Sequence, residues 1–154
     1  MTLLVIEFAN LLLAALLVGT LFGVWLVLNP AALTADSYIA VQQQAIRTLN
    51  TIMPRLGAAT ILATVVAAYW ERADSTRFWL LVGTVVCFVA VGLVTRFLNQ
   101  PINAIVMTWK SGLVPPAGWT DLRDAWWKWH FLRLVTGIVG FCLLLSATLC
   151  AHKQ

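Results

Sequence analysis

Four long apolar segments, at roughly 2–28, 50–70, 78–98 and 131–151, constrain this chain more than any other feature. Each supplies the roughly 20 apolar residues that carry a helix across a bilayer, the second by borrowing from a polar run-up that begins near Ala40. Composition removes the alternative of a soluble domain: 61% hydrophobic residues, 10% charged residues and a mean hydropathy of +0.88 leave too little polar side chain to coat 154 residues. In lipid a helix satisfies its own backbone groups, so the reading is all-α: one integral membrane domain over 1–154, folded as a four-helix transmembrane bundle. The net charge of +4 comes from scattered Arg and Lys near helix ends. There is no basic tract or aromatic platform of the kind nucleic acid requires, so membrane lipids or an anionic ligand suit these charges instead.

The first apolar segment is too long for a signal peptide and lacks a basic leader, so it reads as a retained helix. Four crossings put both termini and the short Glu71–Arg77 loop on one face, called here the terminal face. The opposite face receives the connection from Asn29 to about Ala40 and the longer one from Asn99 to about His130. Arg72, Arg77 and Lys153 lie toward the terminal face, against Arg47, Arg55, Arg96, Lys110, Arg123, Lys128 and Arg133 toward the other. The positive-inside rule then puts both termini outside, in what reads as a bacterial inner (cytoplasmic) membrane. Asn29-Pro30 stops the first helix, and Asp36-Ser37 supplies the cap from which the second runs to Trp70. Asn99-Gln100-Pro101 interrupts the third helix. Pro101 opens a short interfacial helix reaching about Gly112, and a loop over Leu113–Trp119 leads to a last helix capped by Thr120.

Chemistry shows in the helical spacing. Trp126, Trp129, His130, Arg133, Gly137 and Gly140 form one stripe, polar at its start and smooth further in. Gln43, Arg47, Asn50, Pro54 and Gly57 form a second. Gly92, Arg96, Asn99 and Asn103 form a third. All three reach their polar ends at the face opposite the termini, where Trp25 and Asn29 also arrive. Taken singly, Trp side chains such as Trp109, Trp119 and Trp127 anchor at the interface, and Arg side chains snorkel to phosphate. Neither role requires Arg, Asn, Gln and His to share one stripe on each of three helices.

Glu7 and Asn10 sit roughly 30 Å from His130 along the first helix, at 1.5 Å per residue, and cannot share its surroundings. Glu7 is instead a headgroup-level residue or a partner for Arg72 or Arg77. The polar end offers one His and no nearby Asp, Glu or Cys, short of the three or four ligands a metal centre takes. No cofactor is predicted; haem through His130 is the remaining alternative. Cys87, Cys142 and Cys150 lie singly within spans and read as small core residues, against a thiol-oxidising enzyme built on a cysteine pair. Gly19-x-x-x-Gly23 permits close helix pairing, within the bundle first and between copies second, so a homo-oligomer is also allowed.

The Asn29-Pro30 stop, Asn99-Gln100-Pro101-Ile102-Asn103 and Trp126-x-x-x-His130-x-x-Arg133 resemble the anthrone-oxygenase-like family of small integral membrane proteins. The resemblance implies a four-helix bundle and oxygenation of a polycyclic phenolic anthrone to an anthraquinone without metal or flavin. The residues suit that chemistry. An anthrone CH₂ is acidified by its ketone, so His130 could take the proton while Arg133, with Arg47 or Arg96 opposite, holds the oxyanion. Asn99, Asn103 and Asn50 could donate to further phenolic oxygens, and Trp126, Trp129 and Trp25 could supply flat faces. Such a substrate dissolves in the bilayer and enters between helices. The alternative is a non-enzymatic membrane protein whose cationic aromatic pocket binds a lipid, quinone, small anion or partner protein. A transporter fits less well, because four helices without a repeat make a small path.

Overall fold

The computed structural model describes residues 2–28, 30–110, 112 and 116–151. Helix α1 covers Thr2–Val27, a 3₁₀ turn covers Pro30–Ala32, and α2 covers Ala35–Trp70. Helix α3, Ser75–Val94, passes through a π turn at Thr95–Asn99 into α4, Gln100–Val106, and α5 covers Trp119–Ala151. Four helical runs are long and apolar enough to cross a membrane: Leu4–Ala32, Ala35–Trp70, Ser75–Val106 and Trp119–Cys150. The fold is a four-helix transmembrane bundle. Its helices form a ring in which α1 packs on α2, α2 on α3, α3 on α5, and α5 back on α1.

The third crossing departs from the sequence reading. Asn99-Gln100-Pro101 does not interrupt it, and the helix that contains Pro101 ends at Val106, short of Gly112. A proline ring collides with the carbonyl four residues back and brings no N–H. Here the turn before it is widened, with the Gln100 N–H donating to the carbonyl of Thr95 five residues back, and the chain runs on as one helix. The cap of α2 is also displaced: Thr34 holds it in extended geometry, its Oγ1 accepting from the Ser37 N–H at 3.4 Å, with Asp36 and Ser37 already in the helix. Helix α5 begins at Trp119, just after Gly118 at a φ of 75°, so Thr120 lies inside it. The connection after Val106 stays on the face opposite the termini. Gln43 Nε2 donates to the carbonyls of Val106 and Trp109 at 3.0 and 2.9 Å, and the Gly112 N–H donates to Asp36 at 2.8 Å. Asn29, Leu113 to Pro115 of the expected loop, and Lys153 lie outside the described residues.

At the terminal face Asp74 caps α3, accepting from the Thr76 and Arg77 N–H groups at 3.0 and 3.1 Å. Arg77 is buried and pairs with Glu7 of α1 and, at 2.6 Å, with Glu71 after α2, while its Nε donates to the Ala147 carbonyl of α5 at 3.2 Å. One side chain therefore ties four helices together, and Arg77 rather than Arg72 is the partner of Glu7. Below it a core of Ala14, Leu17, Val18, Phe88, Leu144 and neighbours fills the terminal half. Tyr38, Ile46, Ile102, Val106, Trp109 and Trp126 fill the other end.

Small residues act selectively. A Cβ on Gly140 would meet the Cβ of Cys87 at 2.9 Å and the Phe88 ring at 3.3 Å, so Gly140 sets the close approach of α5 to α3. Gly19 and Gly23 have no atom within 4 Å of where a Cβ would lie, which corrects the expectation that they pack within the bundle. Cys142 is exposed rather than part of the core.

Candidate active site

Three residues of α5 spaced by four and three positions stack toward the bundle interior. The Trp126 and His130 rings lie parallel, 5.2 Å apart at 1°, and the Trp127 ring also stacks with His130 at 5.8 Å and 20°. Trp126 is itself fixed, its indole N–H donating to Asn103 Oδ1 at 2.9 Å, while Asn99 Nδ2 donates to the Trp126 carbonyl at 3.1 Å. The π turn and α4 present both asparagines to the start of α5.

The tautomer of His130 follows from its neighbours. Arginine carries only donors, so Nδ1 accepts from Arg133 Nη2 at 2.8 Å. Nε2 must then carry the proton and donates to the Leu21 carbonyl of α1 at 3.1 Å. Arg133 Nη1 also donates to Thr95 Oγ1 at 3.1 Å, and its Nε is buried without a partner. Ion pairs among the described residues involve Arg77 and Arg123, and none reaches Arg133. A guanidinium held by neutral acceptors retains its charge for whatever occupies the space beside it.

That space is a cavity of about 490 Å³ between all four crossings. It is of a size that accepts small molecules, which occupy pockets of roughly 300–1,000 Å³. Leu17, Leu21, Met53, Ile61, Phe88 and Val91 form its apolar part. Arg133, His130 and Thr95 stand at its waist, and Gln42, Asn50, Gln100, Asn103 and Trp126 lie toward the end opposite the termini.

Of the residues singled out in the sequence, His130, Arg133, Asn103, Asn50, Arg96 and Trp126 line this cavity. The others lie off it. Asn99 is buried against the Trp126 backbone. Arg47 is on the exposed face of α2, where Nη2 donates to Gln43 Oε1 at 3.2 Å. Trp25 stacks on Phe22 at 5.8 Å, and the Trp129 ring takes Lys128 Nζ at 5.2 Å. Gln42, Thr95 and Gln100 are lining residues that the stripes missed. Gln42 is 3% exposed and its Nε2 has no partner. Its signal was its place one turn before Ile46 and two before Asn50 or Leu49, one residue away from the stripe drawn through Gln43. The Leu21 carbonyl has no signature in sequence. Among the described residues no three His, Cys, Asp or Glu side chains gather as metal ligands, and neither ring nitrogen of His130 is free for haem iron in this arrangement.

Fold and cavity together define a class: a small multi-pass membrane bundle with an internal chamber lined by two guanidiniums, Arg96 and Arg133, neither paired with a carboxylate among the described residues. The sequence model of the anthrone oxygenase family matches residues 43–143, more than half of the chain, and the chain belongs to that family. No curated protein and no solved structure matches it.

Proposed function

We propose that the protein is a membrane-embedded, cofactor-independent oxygenase of a bacterial cytoplasmic membrane, acting on a polycyclic phenolic substrate of the anthrone type. The observation that carries the reading is Arg133, a guanidinium that lines the cavity, is held by His130 and Thr95, and meets no carboxylate among the described residues. Donors fixed in a dry site stabilise a developing oxyanion more strongly than donors in water, because they need no reorganisation. As the substrate oxygen takes Arg133 Nη2, the Nδ1 lone pair of His130 is released to accept a proton from the ring CH₂. The resulting enolate is electron-rich and combines with O₂ at that carbon, giving a hydroperoxide once protonated. Loss of water from the hydroperoxide leaves the ketone: one O₂ is consumed, one oxygen atom enters the product, and the other leaves as water.

Asn103 and Gln42 supply further polar contacts, and Trp126 holds the His130 plane. The test is oxygen uptake by the purified protein in lipid with an anthrone, matched by anthraquinone absorption. Equal rates with and without protein would reject the reading. The Arg133–His130 bond favours one second reading, since it fills the base's lone pair: a cavity that binds a phenol, quinone or lipid without changing it. A ligand recovered unaltered, with no uptake of oxygen, would support that instead.

A further inference from the structure

The cavity is open on one side only by its exposure pattern. Its lining residues on α1 and α5, such as Leu17, Leu21, Trp126 and His130, are buried, whereas Pro54 and Ala58 on α2 and Gly92 and Arg96 on α3 are exposed. The opening therefore faces outward between α2 and α3.

Its height is fixed by the paired amides of Asn50 and Gln100, which exchange hydrogen bonds at 3.4 and 3.1 Å across these two helices. Four residues further toward the terminal face, Pro54 stands opposite Arg96, and beyond them Gly57 and Ala58 face Gly92. Pro54 removes the N–H that would bond the Asn50 carbonyl, and the π turn lies at the same height on the other edge. A Cβ on Gly57 or on Gly92 would meet no atom within 4 Å, so these edges are held apart rather than packed. Toward the opposite face the chamber is roofed, with Trp126 bonded to Asn103 and Gln43 tying down Val106 and Trp109.

We infer that the site takes a tailed phenol: a flat phenolic head at Arg133, with an aliphatic chain that leaves between Gly57 and Gly92 into the lipid. This rests on the oxygenase reading for the head and extends it to the class of substrate. Along α3 the lining runs from Phe88 to Asn103, about 22 Å at 1.5 Å per residue, well beyond the length of three fused rings. From Thr95 down to Phe88 that wall is apolar apart from Thr95 itself, and it opens onto hydrocarbon. A head fixed at the waist has only apolar wall and the gap below it, and an alkyl chain fills both without stranding a polar group.

The test uses the full chain in lipid bilayers with 4-dodecylphenol carrying a diazirine midway along its chain, and the same diazirine on dodecane as control. Photolabelling of the phenol probe is expected to concentrate on residues 54–61 and 88–92 and to fall at least tenfold in Gly57→Leu and in Gly92→Leu, both of which have room for the side chain. Labels spread over the lipid-facing sides of all helices, as for the dodecane probe, would overturn the proposal, and so would undiminished labelling in both variants. Oxygen uptake with an untailed anthrone tests the oxygenase reading by itself. Uptake without gap labelling rejects the tail route alone, whereas gap labelling without uptake of any anthrone rejects the oxygenase reading and retains the site.

Discussion

His130 engages both ring nitrogens, one with the Leu21 carbonyl and one with Arg133, so substitutions at the two α5 residues separate their roles. Glutamine at 130 can accept from Arg133 but cannot take up a proton near neutrality. His130→Gln is expected to keep ligand binding and lower the oxygenation rate by roughly a hundredfold or more, the scale of general-base catalysis. Stopped-flow oxygen consumption alongside a binding titration checks it. Arg133→Lys is expected to lose at least about tenfold in kcat/KM, because an ammonium cannot serve His130, Thr95 and a ligand oxygen from one planar fork. At the other end of the bundle Arg77→Met leaves Glu7 and Glu71, each 11% exposed, without that cation. Breaking such a pair costs about 3–5 kcal/mol, and replacing both carboxylates as well, with Glu7→Gln and Glu71→Gln, should restore much of the lost stability in a denaturant titration.

At the scale of elements, α3 and α5 depend on the glycine that lets them meet. Gly140→Val is expected to destabilise the bundle by about 1–3 kcal/mol through overpacking against Cys87 and Phe88, and adding Cys87→Gly should recover part of it, read from thermal melts of the single and double variants. The crossings themselves were legible in the sequence, because an apolar run of sufficient length has one solution in lipid. The path of the third helix was not. Asn99-Gln100-Pro101 reads as a break at which Pro101 opens a new helix, and the five-residue π turn that carries the chain through it has no pattern of its own. Of the α2 stripe through Gln43, Arg47, Asn50, Pro54 and Gly57, the last three line the cavity, but its start was drawn one residue away from Gln42 and Ile46, and one residue rotates a helix by about 100°. That error carried Arg47 to the surface and hid Gln42, while α5, read in the right phase, brought His130 and Arg133 together.

For the whole molecule, length decides how the bundle sits. The 36 residues of α2 extend about 54 Å, and the hydrocarbon layer is about 30 Å thick. Exposed Trp70 and Trp79 suit the interface beside the terminal face, so most of the excess stands on the other side. Electron microscopy of the protein in lipid discs is expected to show density projecting from one face only. Equal projections on both would overturn this placement.

The Arg77 cluster has a mechanical counterpart. The two helices that flank the opening are joined at the terminal face by a tight turn and clamped there by ionic bonds, yet toward the far end the side-chain bridges between them are neutral, the Asn50–Gln100 amides and Gln43 on the carbonyls of Val106 and Trp109. Such an object behaves like a clothes-peg: the spring is at one end, and the jaws part at the other when those neutral hydrogen bonds yield. Separating the jaws costs only what water or a lipid headgroup can return to those amides, so the chamber can admit a guest while its base stays assembled.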